Sequence, residues 1–355
     1  MSILDRYIVR TVLGAVALVM VVLLVLGGLF VFFSQQKDIG IGHYAVADAL
    51  WYTLFNLPQQ IYQLLPITAL IGSVIGFGQL ARGSEITVVR ATGVSVARLA
   101  GTALIAAALL IAFEAAIGEF VAPQLEEAAN QQKAFSQYNS VAFGGGTGAW
   151  VRDGDLILNV ARQSGSRQFV GMQVFELSPQ HTLVAIGHAA NAISAGNRRW
   201  LLGDYTESRF TDDRVTTRPP GEKVLQSNVT AGFLGLAVQD PEQLTVQALW
   251  QVIGYFHANS LDARQYVFAF WSKIARTVAI AFSVLLAIPF GLGSMRSAGA
   301  GARTTVALGI GIAFFLLQRL IESGTIVFNL DPVVLAWLPT ALLATVTLLL
   351  LARAR

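Results

Sequence analysis

From Thr11 to Phe33 the chain carries no charged residue, and long apolar runs return over about Leu54–Gln79, Leu99–Val121, Val267–Gly293, Thr304–Ile321 and Val333–Leu351. A helix needs about 20 largely apolar residues to cross the hydrocarbon of a bilayer, so this pattern predicts six transmembrane helices. Pro58, Pro66 and Pro289 fall inside these runs, and neighbouring helices absorb such kinks in a membrane. The first run, preceded by Arg6 and Arg10, has the flank of a secretory signal but is too long for its apolar core. No A-x-A site follows it, so it reads as a retained span.

Between the third and fourth runs the pattern changes. Apolar stretches shorten, and turn residues punctuate them at Asp153-Gly154, Ser164-Gly165, Ser178-Pro179, Gly196-Asn197, Asp212-Asp213 and Pro219-Pro220-Gly221. "VRDGDLILNV" reads as a hairpin with an Asp-Gly turn, and "NAISAGNRRWLLGDY" as another turning at Gly196-Asn197. Short strands at such spacing predict a β-sandwich or jelly roll of about 140 residues. The expected organisation is three spans over residues 1–123, an inserted all-β domain over 124–262, and three more spans over 263–355.

Charge then gives the chain a direction. With the N-terminus in the cytoplasm, Arg6, Arg10, Arg82, Arg90, Arg98, Arg296, Arg303, Arg353 and Arg355 all lie on the inner face, while the opposite short loops, 34–53 and 322–332, offer Lys37 alone. Short loops rich in lysine and arginine stay inside, so both termini are expected in the cytoplasm and the β domain in the periplasm of a bacterial cell. A composition 54% hydrophobic and 13% charged agrees with a multi-pass membrane protein. The chain has no cysteine, which removes disulfides and thiolate metal sites. No basic stripe alternates with aromatics, so nucleic acid is not an expected partner.

Little here points to catalysis. His43, His181, His188 and His257 are scattered, with no i, i+4 pair for a metal. "FGGGTG" at 143–148 lacks the Gly-Lys-Ser/Thr of a phosphate cradle and reads as a loop. No cofactor motif is found. Glu114 and Glu119 near the outer end of span three could serve an intramembrane enzyme as acids, but no second catalytic group stands at a fixed spacing from either. The same glutamates can neutralise Lys273 and Arg276 of span four, while Arg319 and Glu322 are i, i+3 neighbours at the end of span five. Alternatively these cations meet the anionic head of an amphiphile at the outer leaflet.

One inner loop is unusual. In "ARGSEITVVRATGVSVAR", residues 81–98, a helix over 84–92 places Glu85, Val88, Val89 and Thr92 on one face, and Gly93 stands where it can stop. A solvated connector keeps valines from water, and a helix lying on lipid does not aim a glutamate with them. A protein partner in the cytoplasm satisfies both. A membrane-anchored scaffold that recruits periplasmic proteins through its β domain is the alternative.

"LDRYIVRT" at 4–11, "PITALIGSVIGFGQLARGSEITVVRATGVS" at 66–95, "IGEFVAPQ" at 117–124 and "QYVFAFWSKI" at 265–274 resemble the permease family of the lipopolysaccharide-export ABC transporter, its G-type more than its F-type subunit. The likeness runs along nearly the whole chain and is weakest in the β domain. It implies a transport subunit rather than an enzyme, paired with a second, related permease over two copies of a cytosolic ATPase. The segment near 82–93 becomes the coupling helix, with Arg82, Glu85, Val88, Val89, Thr92 and Gly93 at the ATPase. Lipopolysaccharide would leave the outer leaflet of the inner membrane through a cavity formed mainly by spans one and five of both permeases, then pass through jellyroll-like periplasmic domains to a single-span bridge protein. Lys37, Arg319, Lys273 and Arg276 become candidates for its phosphate-bearing head, and Phe30, Phe32, Phe33, Phe314 and Phe315 for its acyl chains. The family can carry a basic residue nearer the outer end of span one, where this chain reads "GGLFVFF" at 27–33.

Overall fold

The computed structural model describes residues 2–353 other than 138–148, 166, 179, 181, 197–198, 212–213, 228, 230–240, 259–261, 293–299 and 325–329. It divides into a helical unit, Met1–Asn139 with Val267–Arg355, and a second unit, Ser140–Tyr266.

The helical unit holds α1 (Ile3–Ser34), α2 (Val46–Arg82), the short α3 (Glu85–Ala91), α4 (Val96–Ala116), α5 (Ala122–Gln137), α7 (Arg264–Leu292, beginning at the junction of the units), α8 (Ala300–Gly324) and α9 (Pro332–Arg353). Five described helices are long and apolar enough to cross a membrane: Ile3–Lys37, Val46–Arg82, Val96–Asn130, Arg264–Leu292 and Pro332–Arg353. The sixth expected span falls in α8. That helix has 25 residues, with an apolar stretch among its described residues over Leu308–Ile321.

Several helices overrun their apolar cores, because polar end turns supply caps and need no hydrophobicity. The Ser2 hydroxyl accepts from Asp5 N at 3.2 Å and the Asp5 carboxylate accepts from Ser2 N at 2.8 Å, a capping box that starts α1 well before Thr11. The same carboxylate accepts from the Thr102 hydroxyl at 2.9 Å and stands 3.7 Å from Arg98, tying the start of α1 to α4.

Glycines set the closest helix contacts. A Cβ on Gly72 would stand 2.7 Å from Val16 N and 2.8 Å from Val16 Cγ2, and one on Gly76 3.1 Å from Val12 Cα. This Gly-x-x-x-Gly pair brings the backbones of α1 and α2 together, as small residues do between membrane helices. A π-helical turn, Ile117–Val121, joins α4 to α5 and lays Gly118 on the Tyr62 ring of α2. Two threonines of α9 reach α7: the Thr340 hydroxyl donates to Ala275 O at 3.0 Å and that of Thr347 to Phe282 O at 3.3 Å.

The second unit contains six antiparallel strands, β1 (Ala149–Asp153), β2 (Leu156–Gly165), β3 (Gln168–Leu177), β4 (Leu183–Gly196), β5 (Arg199–Thr211) and β6 (Arg214–Gln226), in the order β1-β2-β3-β4-β5-β6, followed by helix α6 (Val246–Ala258). The first hairpin turns through Gly154-Asp155, with Gly154 at φ +60° and Asp153 still paired in β1, one position later than an Asp-Gly turn. The β4–β5 turn at 197–198 lies outside the described residues. One face of the sheet is apolar and packed, with Leu158, Val160, Phe169, Met172, Trp200, Leu202 and Tyr205 all buried. The Trp200 indole donates to Val229 O at 3.0 Å, so Val229 is fastened over that face.

Toward the other end of β5 the packed side turns ionic. Register shifts between Leu202 and Glu207, with Asp204 at φ +51°, bring Tyr205 and Glu207 inward together. Glu207 takes the Tyr205 hydroxyl at 3.1 Å, Arg209 at 3.1 Å and the Lys223 ammonium. Burial pushes the Glu207 carboxyl up, but the hydrogen bond and charge of Lys223, with Arg209 and Tyr205, outweigh it and hold the group below its ordinary value.

Candidate functional site

A seven-residue helix is far shorter than an isolated helix needs to persist in water, so α3 must be held by its surroundings. Ser84 in the left-handed region, φ +59°, turns the chain out of α2, and Gly93, φ +91°, turns it into α4. Ile86 is the anchor, 4% exposed and part of the helical core. Its Cδ1 would stand 3.3 Å from a Cβ on Gly291, which also lies against Phe77 of α2.

The expected face of Glu85, Val88, Val89 and Thr92 is divided. Val88, 61% exposed, and Thr92 point away from the unit, flanked by the exposed Arg82 and Arg90. Val89 is half-buried and packs on the helical core. Glu85 is half-buried too: its carboxylate folds over Gly83, where a Cβ would meet Oε1 at 3.0 Å, and interacts with the Tyr7 hydroxyl of α1. Ile86 was missed because it lies on the opposite side of the helix from Val88. The signal was available, since a helix this short needs one apolar residue turned inward.

The candidate lipid contacts also separate. Lys37 is exposed at the end of a 3-10 turn, Gln35–Lys37, that follows α1. The neighbouring Asp38 is taken by Lys133 of α5 at 2.6 Å, and Lys133 also donates to Gln35 Oε1 at 2.7 Å. Lys133 had no sequence signal, being brought to Asp38 only by the packing of α5. Tyr44 donates to the same Gln35 oxygen at 3.3 Å, and burial, helped by Tyr52, Asp38 and Asp48, pushes its phenol up to about 12. Phe30, 75% exposed, and Phe33 continue an exposed apolar face of α1 with Val22, Val25, Leu26 and Leu29, while Phe32 is half-buried.

On α8, Arg319 is exposed and Phe315 half-buried. Phe314 departs from expectation: at 7% exposure it belongs to the helical core, on a helix that packs against α2 through Gly311, Ile67 and Ile71. Lys273 is buried and Arg276 packs beside it, their charged ends 5.0 and 5.4 Å from the Tyr62 ring centre, with the buried Glu114 in electrostatic reach. This arrangement brings together the charges expected to neutralise one another. It places Lys273 inside the unit rather than at its surface.

Among the described residues no three His, Cys, Asp or Glu side chains converge on a metal-sized site. His181 and the glycine-rich 143–148 lie outside the described residues.

Comparison with known proteins accounts for this combination of apolar helices and an inserted sheet. Residues 6–353 match the family described as lipopolysaccharide export system permease LptF/LptG. The chain is similar to the lipopolysaccharide export system permease protein LptG of Escherichia coli strain K12, 30% identical over 99% of this chain and 98% of the relative. It is also similar to the LptG of Haemophilus influenzae, 28% identical over 99% of each. A match that spans both the helical and the β portions shows that the chain belongs to the LptF/LptG family of lipopolysaccharide export permeases.

Proposed function

We propose that this chain is the G-type permease of an ATP-driven exporter, acting beside a second, related permease over two copies of a cytosolic ATPase. Both termini and α3 lie on the cytoplasmic side, and the region 124–262 lies in the periplasm. The observation that carries this reading is α3 itself, a helix pinned inward by Ile86 that presents Val88 and Thr92 outward between Arg82 and Arg90. An exposed valine ringed by cations fits a groove with an apolar floor and an acidic rim. Nucleotide-driven closure of the ATPase pair would then press on α3, and the spans would follow.

Lipopolysaccharide would enter from the outer leaflet of the inner membrane. The exposed apolar face of α1, with Phe30 and Phe33, suits its acyl chains, while Lys37 and Arg319 suit its phosphates. Its onward route runs through the β domain towards a single-span periplasmic bridge protein. Because Trp200 and Phe169 fill the apolar face, passage there requires the Val229 segment to lift from Trp200.

The chain has no cysteine, so Val88→Cys introduces a single thiol for crosslinking in living cells. A thiol-directed photo-crosslinker at this position is expected to capture a nucleotide-hydrolysing subunit. Capture of lipid or of membrane proteins alone would contradict the reading.

A further inference from the structure

We infer that Ile86 is a positioning residue that carries displacement of α3 directly into span α7, in parallel with the covalent route through α2. The inference rests on the proposed docking of α3 to a motor subunit and names the internal output of that docking.

Four observations support it. Ile86 is the buried residue of α3, and the other side of its contact is a glycine on α7, approached so closely that a Cβ would stand 3.3 Å from Ile86 Cδ1 and 3.5 Å from Phe77 O. The contact is therefore the α7 backbone against the end of the Ile86 side chain, with no side chain on the α7 side. Pro289 lies two residues before Gly291 within α7 and leaves the Leu285 carbonyl without its helical donor, which makes this last turn the natural place for the helix to bend. Back along α7, about 22–27 Å from Gly291 at 1.5 Å per residue, Lys273 and Arg276 pack on Tyr62 of α2.

A push at Gly291 acts on the turn beyond the Pro289 bend, and the part of it that passes the bend changes how α7 meets α2 at Lys273 and Arg276. Through the Thr340 and Thr347 hydrogen bonds, α9 would be carried with α7. The covalent routes leave α3 through Ser84 to α2 and through Gly93 to α4, and α2 reaches α7 in turn through Phe77. Ile86 adds a direct route by which a push on α3 reaches α7.

The test uses the full chain in its assembled complex, reconstituted in proteoliposomes containing lipopolysaccharide, and reads lipid released per ATP hydrolysed. Ile86→Ala is expected to lower this ratio by roughly 5-fold or more, the lower end of typical coupling between sites. Ile86→Val should restore it. Gly291→Val alone should also lower the ratio, and combining it with Ile86→Ala should recover much of the loss, because the new methyl groups fill the space the isoleucine left. A merely structural role would reduce the amount of complex and leave the ratio untouched.

An assembled Ile86→Ala complex with the wild-type ratio overturns the inference, as does a double variant no better than either single one. If Ile86→Ala does not assemble, Ile86→Val and Gly291→Ala decide by the same ratio, the first expected near wild type and the second below it. Val88→Asp separates the two layers: its retention of the hydrolysing subunit would sink the docking itself, whatever Ile86 does.

Discussion

Replacing Gly72 by alanine tests whether α1 is clamped to α2 by backbone contact. The added Cβ would stand 2.7 Å from Val16 N and 2.8 Å from Val16 Cγ2, with Val16 Cα closer still. Carbon atoms rest at about 3.5–4.0 Å, so α1 would have to retreat by about 1 Å along a stretch where Gly76 already approaches Val12. A valine side chain could rotate away, but the Val16 backbone cannot. Overpacking of this kind costs about 1–3 kcal/mol. Alanine returns about 0.5–1 kcal/mol through its better helix propensity, which leaves a net loss of up to about 2.5 kcal/mol. Heating the purified complex and measuring the fraction that stays monodisperse should show a midpoint lower by roughly 2 °C. Gly14→Ala and Gly78→Ala on the same two helices meet nothing within 4 Å and serve as controls with unchanged or slightly raised midpoints. If Gly72→Ala behaved like Gly78→Ala, the clamp would be no constraint on α1.

Glu207 makes the stability of the β domain sensitive to acid. A carboxylate held below its ordinary value contributes stability that is complete above about pH 4.3 and is lost as pH falls through its folded-state value. Hydrogen exchange across 199–226, corrected for the intrinsic rate, should show protection falling with acid in the wild type, and Glu207→Gln should flatten that dependence; identical profiles would refute it. Lys37→Glu and Arg319→Glu should each weaken binding of a phosphorylated lipid A analogue, most strongly at low salt, since both side chains are exposed. Binding equal to wild type in both variants would leave the phosphate to other groups.

The spans were legible wherever hydrophobicity alone decides. Residues 11–33 and 333–351 appear inside α1 and α9, but a capping box extends α1 back to Ile3 across Asp5, Arg6 and Arg10, where an apolar count has nothing to register. The first hairpin was readable because an Asp-Gly pair has few other uses, although the turn itself falls one residue later, at Gly154-Asp155. The Gly72–Gly76 clamp was present as a spacing but is indistinguishable, without a partner helix, from glycines such as Gly14 and Gly78 that touch nothing. On α3, the helical period identified which residues share a face. It could not say which half of that face turns inward, since this depends on Gly291 arriving from a helix some 200 residues later. Phe314 and Phe315 look equivalent in sequence, and only the packing of α8 on α2 makes one of them core.

The central claim is that force applied at α3 moves lipid. The most direct measurement is ATP-dependent release of lipopolysaccharide from proteoliposomes containing the complete complex, comparing wild type with Val88→Asp. The account predicts release that requires ATP in the wild type and stops in the variant, because a buried, unpaired carboxylate at the docking face expels the motor. Release that proceeds without ATP, or that continues undiminished in Val88→Asp, would contradict it.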